Sequence, residues 1–306
     1  MTGPMPFTLG YGTNGFTDHP LDTALDVLTT EGYGAVALTL GFPHLDPFAP
    51  DADDAAAALR DRLDEAGMRV VVETGTRFLL DPYVKHRPTL VDADADARMA
   101  YLRRAVDVAG VLGAGCMSFF SGIAPPDARP GDAWSRLLER LPRLVDHADA
   151  AGVRLALEPE PGMVVETVGD ALRLREEIGS PGTLGLTVDL GHCVVVEPGG
   201  VEAALRAAAP HLVNVQVDDM LPVAHEHLPL GDGVLDLPLA LATLADVGYR
   251  GVAAVELPRH SFDAPGLARR SMAALVAAWQ AQGATHPDLT HDARHRAPLH
   301  TPGGPR

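Results

Sequence analysis

Lysine is nearly absent from this chain: Lys85 is the only one among 24 basic residues, set against 41 aspartates and glutamates, and the formal net charge is -17. That balance argues against a nucleic-acid backbone or an anionic membrane surface as the main partner. Cysteine is scarce too. Cys116 and Cys193 are the only two, both on segments that read as buried strand ends, so no disulfide framework is indicated. No apolar run approaches the ~20 residues of a membrane helix. The opening M-T-G-P-M-P-F lacks the basic region and long apolar stretch of a secretory signal, and the expected location is the cytoplasm. What remains is a 306-residue chain, 46% hydrophobic and 21% charged, which is the composition of a globular protein with a sizeable core.

Short apolar runs alternate with helical patterns along most of this length. Strands are predicted over Phe7–Gly12, Ala35–Leu40, Arg69–Glu73, Cys116–Phe120, Leu155–Leu157, Leu184–Val188, Val213–Val217 and Val252–Val255. Helices are predicted over Leu21–Glu31, Asp53–Ala66, Ala95–Leu112, Ala133–Ala150, Gly169–Ile178, Val201–Ala208, Leu237–Val247 and Pro265–Gln280. Eight strand-helix units imply a parallel sheet, which closes most simply into a single-domain (β/α)8 TIM barrel over residues 1–282. An open doubly wound sheet is the structural alternative. The first turn, G-Y-G-T-N-G-F, lacks the acidic ribose-binding residue that a dinucleotide site places downstream. Residues 283–306 carry four histidines and several prolines but no apolar face. Metal capture by those histidines is one reading, and a disordered tail is the expected one.

Four successive predicted strands end on oxygen-rich side chains. R-L-A-L-E-P-E-P-G gives Glu158 and Glu160; T-V-D-L-G-H gives Asp189 and His192; V-N-V-Q-V-D-D gives Gln216, Asp218 and Asp219; A-A-V-E-L-P gives Glu256. In a closed barrel these termini share one face. Carboxylates brought together there repel one another unless a cation sits between them. The predicted metal set is Glu158, Asp189, Gln216 and Glu256. Its hard oxygen donors suit manganese or magnesium, with cobalt or zinc as the alternatives. As isolated residues, the same acids would be rim groups or helix caps.

A-L-E-P, V-D-L-G-H, H-L-P-L-G-D-G-V-L-D and A-V-E-L together resemble the xylose-isomerase-like superfamily of barrels, in particular its sugar-phosphate isomerase and epimerase group. The resemblance spans the chain to about Gln282. It implies that Glu158 and Glu256 both bind the metal and move a proton next to a carbonyl, that Asp189 is a ligand, and that His192 contacts substrate oxygens. The implied substrate is a small polyol or keto-sugar, a sugar phosphate or a cyclitol, and barrels of this kind often form dimers or tetramers. The sequence departs from the family at Gln216, where the family usually has histidine. Either metal affinity is reduced there or His225 or His227, from H-E-H, supplies a ligand. H-E-H also resembles a spacing that provides extra zinc ligands in the DNA-repair endonuclease branch. That branch needs histidines on early strands, where this chain has Glu73 and Thr74, so His225 and His227 are expected to contact substrate or order a loop.

The loop R-F-L-L-D-P-Y-V-K-H-R-P-T collects Arg77, Lys85, His86 and Arg87 in an otherwise acidic protein. We expect Arg77 and Lys85 to bind an anionic substrate group, phosphate or carboxylate; surface pairing of Lys85 with Asp81 is the plain alternative. Glu73, Asn14 and His44 are candidates for the pocket lining, though each suits a turn or cap equally well. Trp134 and Trp279 read as helix packing residues. Two other functions fit the same scaffold: a metal-dependent lyase of the dehydratase or C-glycoside-cleaving type, and a barrel that only binds a metabolite.

Overall fold

The computed structural model describes residues 3–281; the predicted tail, 283–306, lies outside them. The strands are β1 (Thr8–Gly12), β2 (Ala35–Thr39), β3 (Arg69–Glu73), β4 (Met117–Phe120), β5 (Leu155–Glu158), β6 (Leu184–Asp189), β7 (Leu212–Val217), β8 (Asp219–Leu221), β9 (Ala224–Leu228) and β10 (Val252–Val255). Eight of them close in the order β1-β10-β7-β6-β5-β4-β3-β2, every neighbouring pair parallel. The expected single (β/α)8 barrel is therefore the fold. The helices α1 (Leu21–Thr30), α2 (Ala52–Glu65), α3 (Asp96–Leu112), α4 (Asp132–Ala151), α5 (Val168–Glu177), α6 (Leu190–Val196), α7 (Gly200–Ala208), α8 (Leu237–Asp246) and α9 (Ala264–Ala281) follow the strands.

Both faces of a barrel strand are covered, so continuous apolar runs such as Val70-Val71-Val72 are buried throughout. The two faces carry different side chains. Leu, Val and aromatic residues pack outward against the helices. The closed interior holds a separate cluster of small ones, Ala35, Ala37, Val71, Cys116, Ala156, Val213, Val252 and Ala254. Gly185 shows how tight that interior is: a Cβ there would lie 2.1 Å from Val213 Cγ2 and 2.6 Å from the His211 carbonyl oxygen.

Strand periodicity carries this inward column up to the rim. Two residues beyond Val71, Ala156 and Ala254 stand Glu73, Glu158 and Glu256, and the inward column of β6 runs Gly185, Thr187, Asp189. An apolar plug thus gives way to a polar layer at the C-terminal ends of the strands, where barrel enzymes carry their chemistry.

Near the site the structure departs from the predicted pattern in three respects. Asp189 begins α6 without any loop, its Oδ1 accepting from the His192 N–H at 2.7 Å as an N-cap. The stretch after β7, expected as a loop, is an antiparallel hairpin of β8 and β9. Asp219 pins it: Oδ1 accepts from the N–H groups of Met220 and Leu235, and Oδ2 from that of Gly231. β5 also runs one residue further than predicted, so Glu158 is its last member.

Candidate active site

Below the rim lies a floor of neutral polar groups. Ser118 and Thr187 hydroxyls meet at 2.7 Å, and Asn214 Nδ2 reaches Thr187 Oγ1 at 3.4 Å and Glu73 Oε1 at 3.1 Å. Gln216 Nε2 donates to Glu73 Oε2 at 3.4 Å. Glu73 thus orients two amides and also borders the cavity above. Burial pushes its carboxyl up to about 8, against the pull of Asn214 and Ser118 and with that of Asp189. Asn214, Ser118 and Thr187 were not singled out from the sequence; the period-two spacing N-V-Q, with both amides on one strand face, is the signal that marks Asn214.

Above the floor, acids and histidines come together in two groups that share Asp189. Ligand-forming atoms of Glu158, Asp189 and His192 lie within 4.8 Å of one another, and so do those of Asp189, His227 and Glu256. Three acceptor oxygens here, Asp189 Oδ2, Gln216 Oε1 and Glu256 Oε2, are buried with no hydrogen-bond partner among the described residues. In each case the opposite atom of the side chain is engaged: Asp189 Oδ1 caps α6, Gln216 Nε2 meets Glu73, and Glu256 Oε1 accepts from Asn14 Nδ2 at 2.7 Å. Unpartnered buried acceptors are costly, and a cation is what would satisfy several at once.

Both candidate proton carriers hold their protons tightly. Burial raises Glu158 well above the ordinary carboxylate range, and the charges of Glu256, Glu160, Glu73 and Asp189 add to this. Burial lifts Glu256 to about 8; His227 and the Asn14 bond oppose the shift, Asp189 and Glu73 add to it. Burial also works against an ionised Asp189, but His192, His227 and the cap bond hold it below the ordinary value. Its neighbour Asp218 is pushed well up by burial and by Asp189. Asp189 is therefore the acid of that pair that stays charged.

The hairpin brings both H-E-H histidines to the site. His192 Nδ1 donates to the Pro159 carbonyl at 3.2 Å, which leaves Nε2 with a lone pair, and His225 Nε2 approaches that nitrogen at 3.0 Å. Burial holds His192 down to about 4 and His225 to about 3, so both are neutral. His225 Nε2 is also 3.9 Å from Glu160. His227 Nδ1 comes within 2.7 Å of Asp218 Oδ2 without the alignment of a hydrogen bond. Asp218 Oδ1 accepts from the Gly191 N–H at 3.1 Å. A Cβ on Gly191 would stand 2.2 Å from that oxygen, which is why V-D-L-G-H needs its glycine.

Glu73, Glu158, Glu160, Gln216, Glu256 and the three histidines line one cavity of about 520 Å³, and Arg77, Lys85 and Arg259 belong to the same lining. Arg77 Nη2 donates to the Pro258 carbonyl at 2.6 Å and Arg259 Nη1 to Glu226 Oε1 at 2.9 Å. Lys85 makes no hydrogen bond or ion pair among the described residues. Asp81, its alternative partner, instead accepts from the N–H groups of Tyr83 and Val84. Arg98, buried at 3% exposure, holds this loop by donating to the carbonyls of His86 and Pro88, each at 2.8 Å. His44 contacts the Phe16 and His19 carbonyls and also borders the cavity.

Comparison with known proteins identifies relatives of the whole barrel. L-ribulose-5-phosphate 3-epimerase of Escherichia coli is 25% identical over 228 residues, 72% of this chain and 80% of that one. The structure of D-allulose 3-epimerase from a Methylomonas species superposes with a TM-score of 0.70 at 20% identity, over 91% of this chain and 100% of that one. That of the IolI protein, with a bound zinc atom, gives 0.72 at 16% identity over 89% and 98%. Residues 25–278 match the family described as xylose isomerase-like TIM barrel, and the chain is a member of that family.

Proposed function

We propose that the protein is a divalent-metal-dependent isomerase or epimerase that moves a proton alpha to the carbonyl of a sugar, sugar phosphate or cyclitol. The observation that carries the reading is the meeting of Asp189, His227 and Glu256 ligand atoms within 4.8 Å, with Glu158 joined to the group through Asp189. The epimerases among its relatives supply the reaction class.

Glu158, Asp189, His227 and Glu256 would hold the ion, with the free amide oxygen of Gln216 beside them. Three carboxylates with one imidazole suit manganese better than magnesium, and cobalt or zinc next. The ion, when bound, supplies Lewis-acid stabilisation of negative charge on substrate oxygens. The chain's own part is proton handling. Glu158 and Glu256 rise from different strands, β5 and the end of β10, and take the proton from one face of the substrate carbon and return one to the other. A single glutamate acting on one face would give isomerisation instead. Neutral His192 and His225 offer contacts to substrate hydroxyls, and Lys85 with Arg77 an anionic group.

Elemental analysis joined to a proton-exchange screen in heavy water tests this. With L-ribulose 5-phosphate, D-allulose, D-tagatose and inososes as substrates, we expect about one divalent ion per chain and deuterium at the carbon next to the carbonyl. Protein that takes up no ion and exchanges no proton on any of them would retire the proposal.

A further inference from the structure

Two residues other than glycine hold a left-handed backbone among the described residues, His86 at φ 64° and Ser180 at φ 53°. Ser180 lies in the turn between α5 and β6, at the end of the barrel away from the acids. His86 lies in the loop between β3 and α3 and lines the same cavity as Glu158 and Glu256. A side chain in this conformation persists only where its surroundings impose it, and such residues gather at ligand clamps.

The His86 N–H donates to the Arg77 carbonyl at 2.7 Å, and the His86 carbonyl accepts from Arg98 Nη2 at 2.8 Å. Arg98 Nε donates to the Pro88 carbonyl. Arg98 is buried yet pairs with no carboxylate among the described residues. Its charge faces those two carbonyls and the rings of Tyr101 and Phe120, each 5.4 Å from Cζ. A buried cation is expensive, and this one holds the backbone of two loop residues. What it presents is the His86 imidazole, edge-on to Phe120 with ring centroids 5.3 Å apart. Neither ring nitrogen makes a hydrogen bond among the described residues, and Nδ1 is buried. Such a nitrogen lacks a partner that a ligand can supply. Burial, with Lys85, Arg98 and Arg77, holds the imidazole down to about 3, so it is neutral and offers one donor and one acceptor. That suits a hydroxyl rather than an anion. The charges felt most strongly there belong to its own loop and to Arg98, not to the acids, so the hydroxyl is remote from the reacting carbons.

We infer that His86 is a further substrate-binding residue, hydrogen-bonding a hydroxyl of the sugar away from its carbonyl, and that Arg98 is its positioning residue. The inference rests on the sugar-isomerase reading and adds to it the group that selects among sugars. Packing alone does not call for a side chain at this position, since glycine takes the left-handed backbone without strain.

The test joins deuterium-exchange kinetics to calorimetric titration of the manganese-loaded protein with D-allulose, D-tagatose and their monodeoxy analogues at each carbon beyond the reacting ones. The wild type should discriminate about tenfold against one analogue, the one lacking the hydroxyl that His86 meets. His86→Gly keeps the backbone and removes the ring. It should raise KM for the parent sugar about tenfold, with kcat nearly unchanged, and abolish the discrimination. His86→Asn tolerates the same backbone, keeps a donor and an acceptor, and should recover part of it. Arg98→Met, or Arg98→Lys where the first does not fold, should lose the same discrimination, and Ser180→Gly should keep it. No discrimination in the wild type, an unchanged KM in His86→Gly, or a discrimination that survives this variant would each overturn the inference. Arg98 variants with the wild-type profile would overturn the positioning role. Any of these results with exchange intact leaves the isomerase reading standing. Binding with His86-dependent discrimination but no exchange removes that reading and keeps the contact; neither binding nor exchange removes both.

Discussion

Asn14 Nδ2 donates to Glu256 Oε1 at 2.7 Å, joining the turn after the first strand to the end of the last one across 242 positions. The bond fixes one oxygen of Glu256 and favours its charged form. Asn14→Ala should therefore lower kcat about tenfold or more, within the range that positioned acid–base groups supply. Because Glu256 must lose its proton to act as a base, the rising limb of the kcat profile should also move to higher pH. A uniform loss with an unmoved limb would show that Asn14 acts only on structure.

The buried charges also set a pH dependence of stability in metal-free protein. Glu73 and Glu256 at about 8 and Glu160 at about 7 lie above their ordinary 4.5. The folded chain keeps protons there that the unfolded chain has released, so stability falls as pH rises through this window. The depressed histidines, His192 near 4 and His86 and His225 near 3 against 6.5, act in the opposite sense and finish by 6.5. The net decline is thus expected between about pH 6.5 and 8. Thermal melts should show it, and saturating manganese should shrink or reverse it, since metal binding favours the deprotonated ligands. A rising melting temperature across that window without metal would contradict the assignment.

His227 and Gln216 compete for the role the family gives to a strand histidine. If His227 is the ligand, His227→Ala should weaken manganese binding beyond about 100-fold. Gln216→Ala, which removes a neighbour and a bond to Glu73, should cost about tenfold. Competition with a fluorescent chelator measures both, and the reverse order would return the position to Gln216.

Lys85 offers a cation with no hydrogen-bond or ion-pair partner among the described residues, in a cavity lined by acids. Lys85→Ala and Arg77→Ala should raise KM about tenfold or more for phosphorylated ketoses, a charged hydrogen bond being worth about 1.5–3 kcal/mol, with little change for neutral ones. Equal effects on both series would make the loop a structural element.

The barrel interior gives a stability test independent of function. A methyl at Gly185 meets both Val213 and the His211 carbonyl, and overpacking of this kind costs about 1–3 kcal/mol. Chemical denaturation of Gly185→Ala should show that loss.

The alternation of apolar runs was enough to read the barrel and to place Glu158, Asp189 and Glu256 on one rim, because strand ends in a closed parallel barrel share a face. Two things were less legible. The polar floor of Ser118, Thr187 and Asn214 is invisible in sequence, since uncharged polar residues inside strands look like ordinary variation until closure brings them together. The hairpin was missed because A-H-E-H-L lacks the apolar alternation that marks a half-buried strand. Its inward residues are histidines, selected for the site and not for the core.

That hairpin sets a rule of length. His225 and His227 turn to the cavity while Glu226, between them, reaches out to Arg259. Strand side chains alternate with a period of two, so inserting or deleting one residue ahead of H-E-H would swing the glutamate into the acids and both imidazoles into solvent. A one-residue change is therefore tolerated only where the turn between β8 and β9 or the irregular register beside Asp219 takes it up.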